Sequence, residues 1–172
     1  MEIEIKAIVK DKKMLTEKLS RIGAVLLGER TEKDIYYRKS GPQGVKEYVR
    51  LRVREDTKIF AHHSFNGGAT KELEFEVVGT SRTILKVLSL IGLKIIGSIK
   101  KKRAVYTYKE FTISVDDLKQ FGQFIEIEVE GKASEVRTKK RQCLSLLEKL
   151  GLGESDLTDI WYCNLVLNKA EL

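Results

Sequence analysis

The chain is poor in cysteine and proline, with two cysteines and one proline among its 172 residues. Cys143 and Cys163 are too few for a disulfide framework and lack the paired spacing of a zinc or redox motif, so both are predicted to be small buried side chains. With Pro42 alone and few glycine- or serine-rich stretches, no interdomain linker is recognisable. A single domain over residues 1–172 is therefore predicted.

Long apolar runs are also missing. No stretch of about twenty apolar residues is present, which argues against a membrane span, and no charged-then-apolar leader is found. We therefore expect a cytoplasmic protein without a membrane partner. Charge, in contrast, is abundant: 33% of the residues are charged, 42% are hydrophobic, and the formal net charge of +7 favours an anionic partner.

The first six residues, MEIEIK, alternate charged side chains with isoleucine. Period-two alternation is typical of a β-strand, so Glu2, Glu4 and Lys6 are predicted to share one face. A single strand of this kind usually presents that face to water. Whether this charged face meets water or lies inside the fold depends on the other strands.

The remaining periodicity predicts an α+β protein with about eight mostly antiparallel strands. Seven further strands are predicted at EKDIYYRKS, EYVRLRVRED, KIFAHHSF, KELEFEVVG, KIIGSIKKKRAVYTYK, FTISVDDL and QFIEIEVEG. Turn-like SGPQG and NGG separate two of the strand pairs. Helices are predicted at DKKMLTEKLSRIG, SRTILKVLSLIG, SEVRTKKRQCLSLLEKLG and DLTDIWYCNLVLNK.

The charged faces of these strands are sorted by sign. Acidic side chains alternate along EIE, KELEFE and IEIEVE, whereas basic ones alternate along RLRVR and KKKR. Closing the sheet into a barrel would place these rows inside, where unpaired charges are very costly. Paired carboxylates suit Mg²⁺ or Mn²⁺ better than zinc, and guanidinium and ammonium groups suit phosphate. A polyphosphate bridged by a divalent metal would satisfy both sets, although ordinary solvated faces explain each strand taken singly.

Seven stretches occur in a characteristic order: EIEIK, EKDIYY, RLRVR, KELEFEV, KKKRAVY, TISVDDL and GQFIEIE. In this order they resemble the CYTH superfamily, the triphosphate tunnel metalloenzymes, and most closely its archaeal class IV adenylyl cyclase-like and thiamine triphosphatase branch. The resemblance implies a closed eight-stranded antiparallel β-barrel with helices packed outside. It implies a metal-dependent enzyme that hydrolyses a triphosphate such as tripolyphosphate, a nucleoside triphosphate or thiamine triphosphate. Two alternatives are a class IV adenylyl cyclase, which converts ATP to cyclic AMP and pyrophosphate, and a non-catalytic polyphosphate or nucleotide binder.

The resemblance also implies roles for individual residues. The implied ligands of Mg²⁺ or Mn²⁺ are Glu2, Glu4, Glu126, Glu128, Asp116 and, on a more variable strand, Glu74. The implied substrate-binding residues are Lys6, Arg50, Arg52, Arg54, Lys101 and Arg103. Of these charged groups, the catalytic ones are expected to be Lys6, Arg52, Arg54 and Asp116, where Asp116 either binds metal or orients a ligand.

At one position the sequence departs from the family pattern. Relatives usually carry a lysine in a stretch resembling TYKGP, whereas this chain has HHSFNG, with Ser64 at the position of the lysine. Because strand side chains alternate, His62 is predicted to share the face of Ser64 and to bind the substrate in place of the lysine.

The expected partner is a small molecule that bears a triphosphate. The run KKKR, with Tyr106 and Tyr108 nearby, also suits a groove for single-stranded nucleic acid. Such a groove gains nothing from rows of glutamate, so we do not expect nucleic acid to be the ligand. A homodimer is a possible assembly.

Overall fold

The computed structural model describes residues 1–39, 47–66, 69–160 and 162–170. Its elements in chain order are β1 (Glu2–Val9), α1 (Lys12–Arg21), β2 (Val25–Lys39), β3 (Glu47–Val53), β4 (Lys58–Asn66), β5 (Ala69–Glu76), α2 (Ser81–Leu90), β6 (Leu93–Tyr108), β7 (Phe111–Leu118), β8 (Gly122–Glu130), α3 (Val136–Lys149) and α4 (Tyr162–Ala170). The predicted α+β class with eight antiparallel strands is confirmed. The predicted SGPQG turn and the two glycines of NGG lie outside the described residues.

The chain divides into two compact units. The first unit comprises Met1–Arg30 and Lys101–Asp159, and the second comprises Thr31–Lys100 and Ile160–Leu172. Among the helices of the described ranges, none is both long and apolar enough to cross a membrane.

In the first unit, β8 pairs with both β1 and β7, and β7 pairs with β6. Alternation gives these strands an apolar face that packs against α1 and α3. Ile113, Ile125 and Ile127 on the strands and Leu19 and Cys143 on the helices have no exposed surface. Full burial of a leucine or isoleucine contributes about 1.5–3 kcal/mol. This packing fixes the strand register, and the register sends the alternate, charged side chains to the opposite face.

The start of α1 is set by the sequence. Asp11 is its N-cap, and the carboxylate of Asp11 accepts a hydrogen bond from the backbone N–H of Met14 at 2.9 Å. Gly23 follows the helix with a φ of +82°, a conformation that glycine adopts without steric cost.

In the second unit, β3 pairs with both β2 and β4, and β4 pairs with β5. One face of these strands carries Ile35 and Leu51, which pack against Ile84 and Leu88 of α2. Alternation sends the neighbouring residues of β2 and β3 to the other face, where Asp34 lies directly opposite Arg52. The other cysteine, Cys163, is buried here, so the burial predicted for both cysteines is confirmed.

Candidate metal centre and arginine row

Three glutamates meet on the charged face of the first unit. The register places Glu4 opposite Glu128 and Lys6 opposite Glu126, so one pair of strands supplies all four side chains. One carboxylate oxygen of each of Glu4, Glu126 and Glu128 lies within 4.8 Å of the other two. Three converging hard oxygens are a donor set that Mg²⁺ and Mn²⁺ prefer.

Glu126 is the ionised member of this cluster. Burial alone would raise its pKa, but Arg103 and Lys6 hold the pKa of Glu126 well below its usual range. Lys6 Nζ is 2.9 Å from Glu126 Oε1, and Arg103 Nη2 donates to Glu126 Oε2. Two cations therefore keep a buried carboxylate charged and in a fixed position.

The other two glutamates hold their protons more strongly. Burial and the neighbouring Glu126 raise the pKa of Glu128 to about 8, and the same two causes raise the pKa of Glu4. Glu2, on the same strand face as Glu4, adds to both shifts. The three carboxylates lie so close together that the negative charge of one opposes the ionisation of the others.

Behind this cluster, Asp116 holds Arg103 with two hydrogen bonds. Arg103 Nε and Nη2 each donate to an Asp116 oxygen at 2.6 Å, and Lys101 Nζ is 3.6 Å from the same carboxylate. Asp116 has no exposed surface and Lys101 only 2%. Asp116 is therefore placed to orient Arg103, and it is not among the three converging carboxylates.

The second unit holds Arg52 in a similar way. Arg52 Nε and Nη2 donate to the two oxygens of Asp34 at 2.8 and 2.9 Å, and Nε is 3.3 Å from Glu32. Glu32 also accepts a hydrogen bond from Arg54 Nε at 2.8 Å. Asp34 and Glu32 have no exposed surface. Their burial and their two arginine partners make this a rigid ion-pair network.

Arg50, on the same face of β3 as Arg52, is held by two glutamates of β5. Arg50 Nη2 donates to Glu72 Oε1 at 2.8 Å and to Glu74 Oε2 at 3.2 Å. Burial is the main reason that the pKa of Glu72 is raised, and Arg50 opposes this shift. Glu74, a predicted metal ligand, thus contacts an arginine of its own unit and is not a member of the glutamate cluster of the first unit.

The two histidines of β4 lie on opposite faces. His62 is opposite Val49, its side chain is 39% exposed, and its Nε2 is 3.7 Å from Glu47. His63 is opposite Tyr48, on the face that carries Arg50 and Arg52, and is only 2% exposed. The structure therefore places His63, and not the predicted His62, among the arginines.

The sequence analysis singled out none of the buried residues Glu32, Asp34, Tyr48 and His63. A signal for the acids was present, because Glu32 and Asp34 are two residues apart on a strand and precede a strand with arginines at the same spacing. For His63, the signal was the short loop between β3 and β4. This loop pairs Val53 with Lys58, and so places even-numbered residues of β3 opposite odd-numbered residues of β4.

Comparison with known proteins adds three relatives. A Methanocaldococcus jannaschii protein, provisionally named an adenylate cyclase, is 24% identical over 96% of this chain and 98% of its own length. A Pyrococcus horikoshii structure is 26% identical, with a TM-score of 0.84 over 96% of this chain and 99% of that one. A Hippeastrum protein, provisionally named an adenylyl cyclase and described as having a dominant triphosphatase activity, shares the fold at 18% identity, with a TM-score of 0.68 over 100% of this chain and 97% of that one.

A family model decides the assignment. The model of the CYTH domain matches residues 1–160, which include every predicted site residue. The sequence resemblance is thereby confirmed, and the chain belongs to the CYTH family.

Proposed function

We propose that the chain is a metal-dependent enzyme that acts on a triphosphate substrate and that its reaction is hydrolysis. The observation that carries this proposal is the convergence of Glu4, Glu126 and Glu128 directly beside Lys6 and Arg103. Hard anionic oxygens for a divalent cation then lie next to fixed positive charges for phosphate oxygens. A groove for nucleic acid would have no use for the converging carboxylates.

The three glutamates fit Mg²⁺ or Mn²⁺. They offer oxygen donors from two adjacent strands, and a bound cation would offset the repulsion between carboxylates that helps to raise the pKa values of Glu4 and Glu128. Glu4, Glu126 and Glu128 would hold the ion, and Glu2 stays a candidate at the edge of the group. When bound, the ion supplies Lewis-acid polarisation of a phosphoryl oxygen.

Lys6 and Arg103 would neutralise substrate charge in the same unit. Arg103 is fixed by Asp116 and Glu126, so its guanidinium needs little reorganisation when negative charge develops in front of it. Lys6 is held against Glu126, and Lys101 against Asp116. As a water molecule attacks the terminal phosphorus in line, these cations would stabilise the charge on the transferred and leaving groups.

The arginine row of the second unit remains a predicted set of phosphate-binding side chains. Arg50, Arg52 and Arg54 are each anchored by carboxylates of that unit. A guanidinium offers five N–H donors in a planar fork, so pairing along one edge is compatible with a phosphate contact along another. Anchoring also reduces the rotamer entropy that binding would otherwise remove.

Two alternatives use the same groups. A class IV adenylyl cyclase would let the ribose hydroxyl of ATP attack the α-phosphorus and release pyrophosphate; the similarity to the provisionally named Methanocaldococcus jannaschii cyclase favours this reading. A non-catalytic binder would retain the substrate without turnover. Hydrolysis is the simpler proposal, because the fold supports triphosphatase chemistry in the Hippeastrum protein.

One assay separates these functions. The purified chain is incubated with Mg²⁺ or Mn²⁺ and, separately, with tripolyphosphate, ATP and thiamine triphosphate, and the products are resolved. Orthophosphate release supports the hydrolase, whereas cyclic AMP with pyrophosphate identifies the cyclase. Binding without product identifies the binder, and the absence of binding to all three compounds contradicts the proposal. Glu128→Gln serves as the matched control for contaminating phosphatase.

A further inference from the structure

The apolar faces of the two units are covered to different extents. In the first unit, α1 and α3 both pack against the apolar face of the strands. In the second unit, α2 packs against Ile35 of β2 and Leu51 of β3 through Ile84 and Leu88. Among the described side chains, none of α4 belongs to this cluster. Within the described residues, a single helix therefore covers this face, and the part of the face on β5 is open.

The open part consists of two large side chains of β5. In the described part of the chain, β5 pairs with β4 alone. The register places Phe75 opposite Phe60 and Leu73 opposite His62, and Phe60 is itself opposite Leu51 on the face that α2 covers. The rings of Phe60 and Phe75 have centroids 5.4 Å apart, yet Phe75 is 58% exposed and Leu73 is 57% exposed. An outer strand with an exposed apolar face is a site at which proteins associate.

Helix α2 has a second apolar stripe, which its own unit does not cover. Val87, Leu90 and Ile91 recur at the spacing that places side chains on one side of a helix, and they are 50%, 77% and 64% exposed. A surface helix normally carries polar side chains on its outer side. Val78, in the loop between β5 and α2, is 99% exposed. Residues 73–91 thus present six large apolar side chains to solvent, and apolar surface of this extent marks a contact site.

We propose that this surface joins two copies of the chain, with the stripe of α2 (Val87, Leu90 and Ile91) in each copy packed against Leu73 and Phe75 of β5 in the other. Each copy supplies both a helix stripe and an open strand face, so a two-fold axis makes the same contact twice. Homodimer interfaces bury about 800 Å² on each copy, of which about 65% is apolar, and the exposed apolar side chains supply a large part of that area. The inference does not depend on the proposed function.

The charges beside these side chains favour contact between α2 and β5. The exposed charged residues of α2 are basic, at Arg82 and Lys86, whereas β5 exposes Glu74 and Glu76. Glu74 also contacts Arg50 of its own unit. Opposite charges on the two elements favour α2 against β5 over α2 against α2. An anionic membrane would attract α2 but repel the glutamates of β5, so a second copy fits this surface better.

Analytical ultracentrifugation of the full chain tests the contact. The parent is expected to dimerise with a Kd of about 1 μM or lower. Leu90→Glu or Phe75→Glu should raise this Kd about a hundredfold, because each would bury a charge in an apolar contact. Both positions are exposed in the single chain, so circular dichroism and the urea midpoint should match those of the parent. Met14→Glu, on α1 with 42% exposure, is the matched control and should dimerise like the parent.

Cross-linking identifies the elements that meet. Cys143 and Cys163 are buried, so a short bismaleimide should react only with an introduced cysteine. An equal mixture of Leu90→Cys and Phe75→Cys chains should give more cross-linked dimer than either variant alone. An equal or higher yield from Leu90→Cys alone would place α2 against α2 and overturn the proposed arrangement.

Three further results would overturn the inference. A parent that stays monomeric at about 100 μM does not form the contact. A dimer that resists both glutamate substitutions forms through another surface. A monomer that binds vesicles of phosphatidylcholine and phosphatidylglycerol, and loses this binding in Leu90→Glu, assigns the surface to a membrane. The proposed function is tested separately by product analysis and stands or falls independently of these results.

Discussion

Each of the two units contains an arginine that is held by a buried aspartate through two hydrogen bonds. In the first unit the pair is Arg103 and Asp116, and in the second it is Arg52 and Asp34. Both aspartates lack exposed surface. The units therefore use the same device to fix a guanidinium in a buried position, and what differs is the chemistry around it.

In the first unit the carboxylates extend beyond the arginine. Glu126 shares Arg103 with Asp116, and Glu4 and Glu128 follow with raised pKa values. In the second unit, Glu32 contacts Arg54 and Glu72 contacts Arg50. An excess of converging carboxylates favours a cation, whereas a row of arginines favours an anion. Similar charged rows in the sequence thus give two surfaces of opposite preference.

The largest expected effect is on catalysis in the first unit. Glu128→Gln keeps the shape of the side chain but removes an anionic oxygen, so turnover should fall about a thousandfold or more. Phosphate release measures the loss of turnover, and calorimetry with Mn²⁺ measures the loss of metal affinity. Glu130→Gln is the matched control, because Glu130 lies on the same strand with its side chain 85% exposed. Near-full activity of Glu128→Gln at limiting metal would show that this carboxylate does not bind the ion.

A large effect on stability is expected in the second unit. Asp34→Asn removes the carboxylate that accepts two hydrogen bonds from the buried Arg52. The free energy of unfolding should therefore fall by about 3–5 kcal/mol. Urea denaturation followed by circular dichroism measures the change, and Asp56→Asn, at an exposed loop position, is the control. A loss below about 1 kcal/mol would mean that the pair is solvated and not a rigid anchor.

A smaller effect is expected on anion binding. Arg54→Ala should weaken tripolyphosphate binding by roughly 1–3 kcal/mol, because a hydrogen bond from a charged group is lost. Lys101→Ala tests the first unit in the same way. Calorimetry gives both values, with Arg82→Ala on the exposed surface of α2 as the control. Unchanged affinity in Arg54→Ala and a loss in Lys101→Ala would restrict phosphate binding to the first unit.

The smallest effect concerns pH and His63. Its pKa is about 3 in the folded protein against about 6.5 in the unfolded chain, so the unfolded state binds the extra proton below pH 6.5. Above pH 6.5, His63 is neutral in both states and does not reduce the free energy of unfolding. As the pH falls from 6.5 toward 3, only the unfolded state gains the proton, so the free energy of unfolding decreases. At pH 5.5 the loss amounts to roughly 1 kcal/mol.

His63→Phe should remove this part of the pH dependence, whereas His62→Gln should keep it. Urea titrations at pH 7.5, 6.5 and 5.5 compare the three proteins. Parallel curves for the parent and His63→Phe would show that His63 titrates in the folded protein as it does in the unfolded chain.

The periodicity of the sequence was sufficient for most of the fold. Alternation predicted the charged faces of β1, β3 and β8, and apolar spacing predicted α1 and α3, because both patterns report directly on a buried face. Family resemblance then supplied Glu4, Glu126 and Glu128, although alternation alone could not show that their strands are neighbours. Adjacent strands are fixed by long-range pairing, which a local pattern does not contain.

The choice between His62 and His63 shows where sequence reasoning failed. The prediction for His62 came from aligning β4 with the family pattern so that Ser64 stood at the position of the lysine. An alignment error of one residue moves every side chain of a strand to the opposite face. The register of β4 is set by the loop after Val53, not by the residues of β4 themselves. Asp34 was not singled out for a related reason: its role comes from its two hydrogen bonds with Arg52 on the neighbouring strand.

The pairing of β1 with β8 has a consequence for the order in which the chain is synthesised. Among the eight described strands, Glu4 belongs to the first to be synthesised, while its neighbour Glu128 belongs to the last. A nascent chain that ends before β8 has only one of the three clustered glutamates. The cluster cannot assemble during most of translation, and contacts so distant in sequence form late and slowly. Metal binding would therefore report that folding of the first unit is complete.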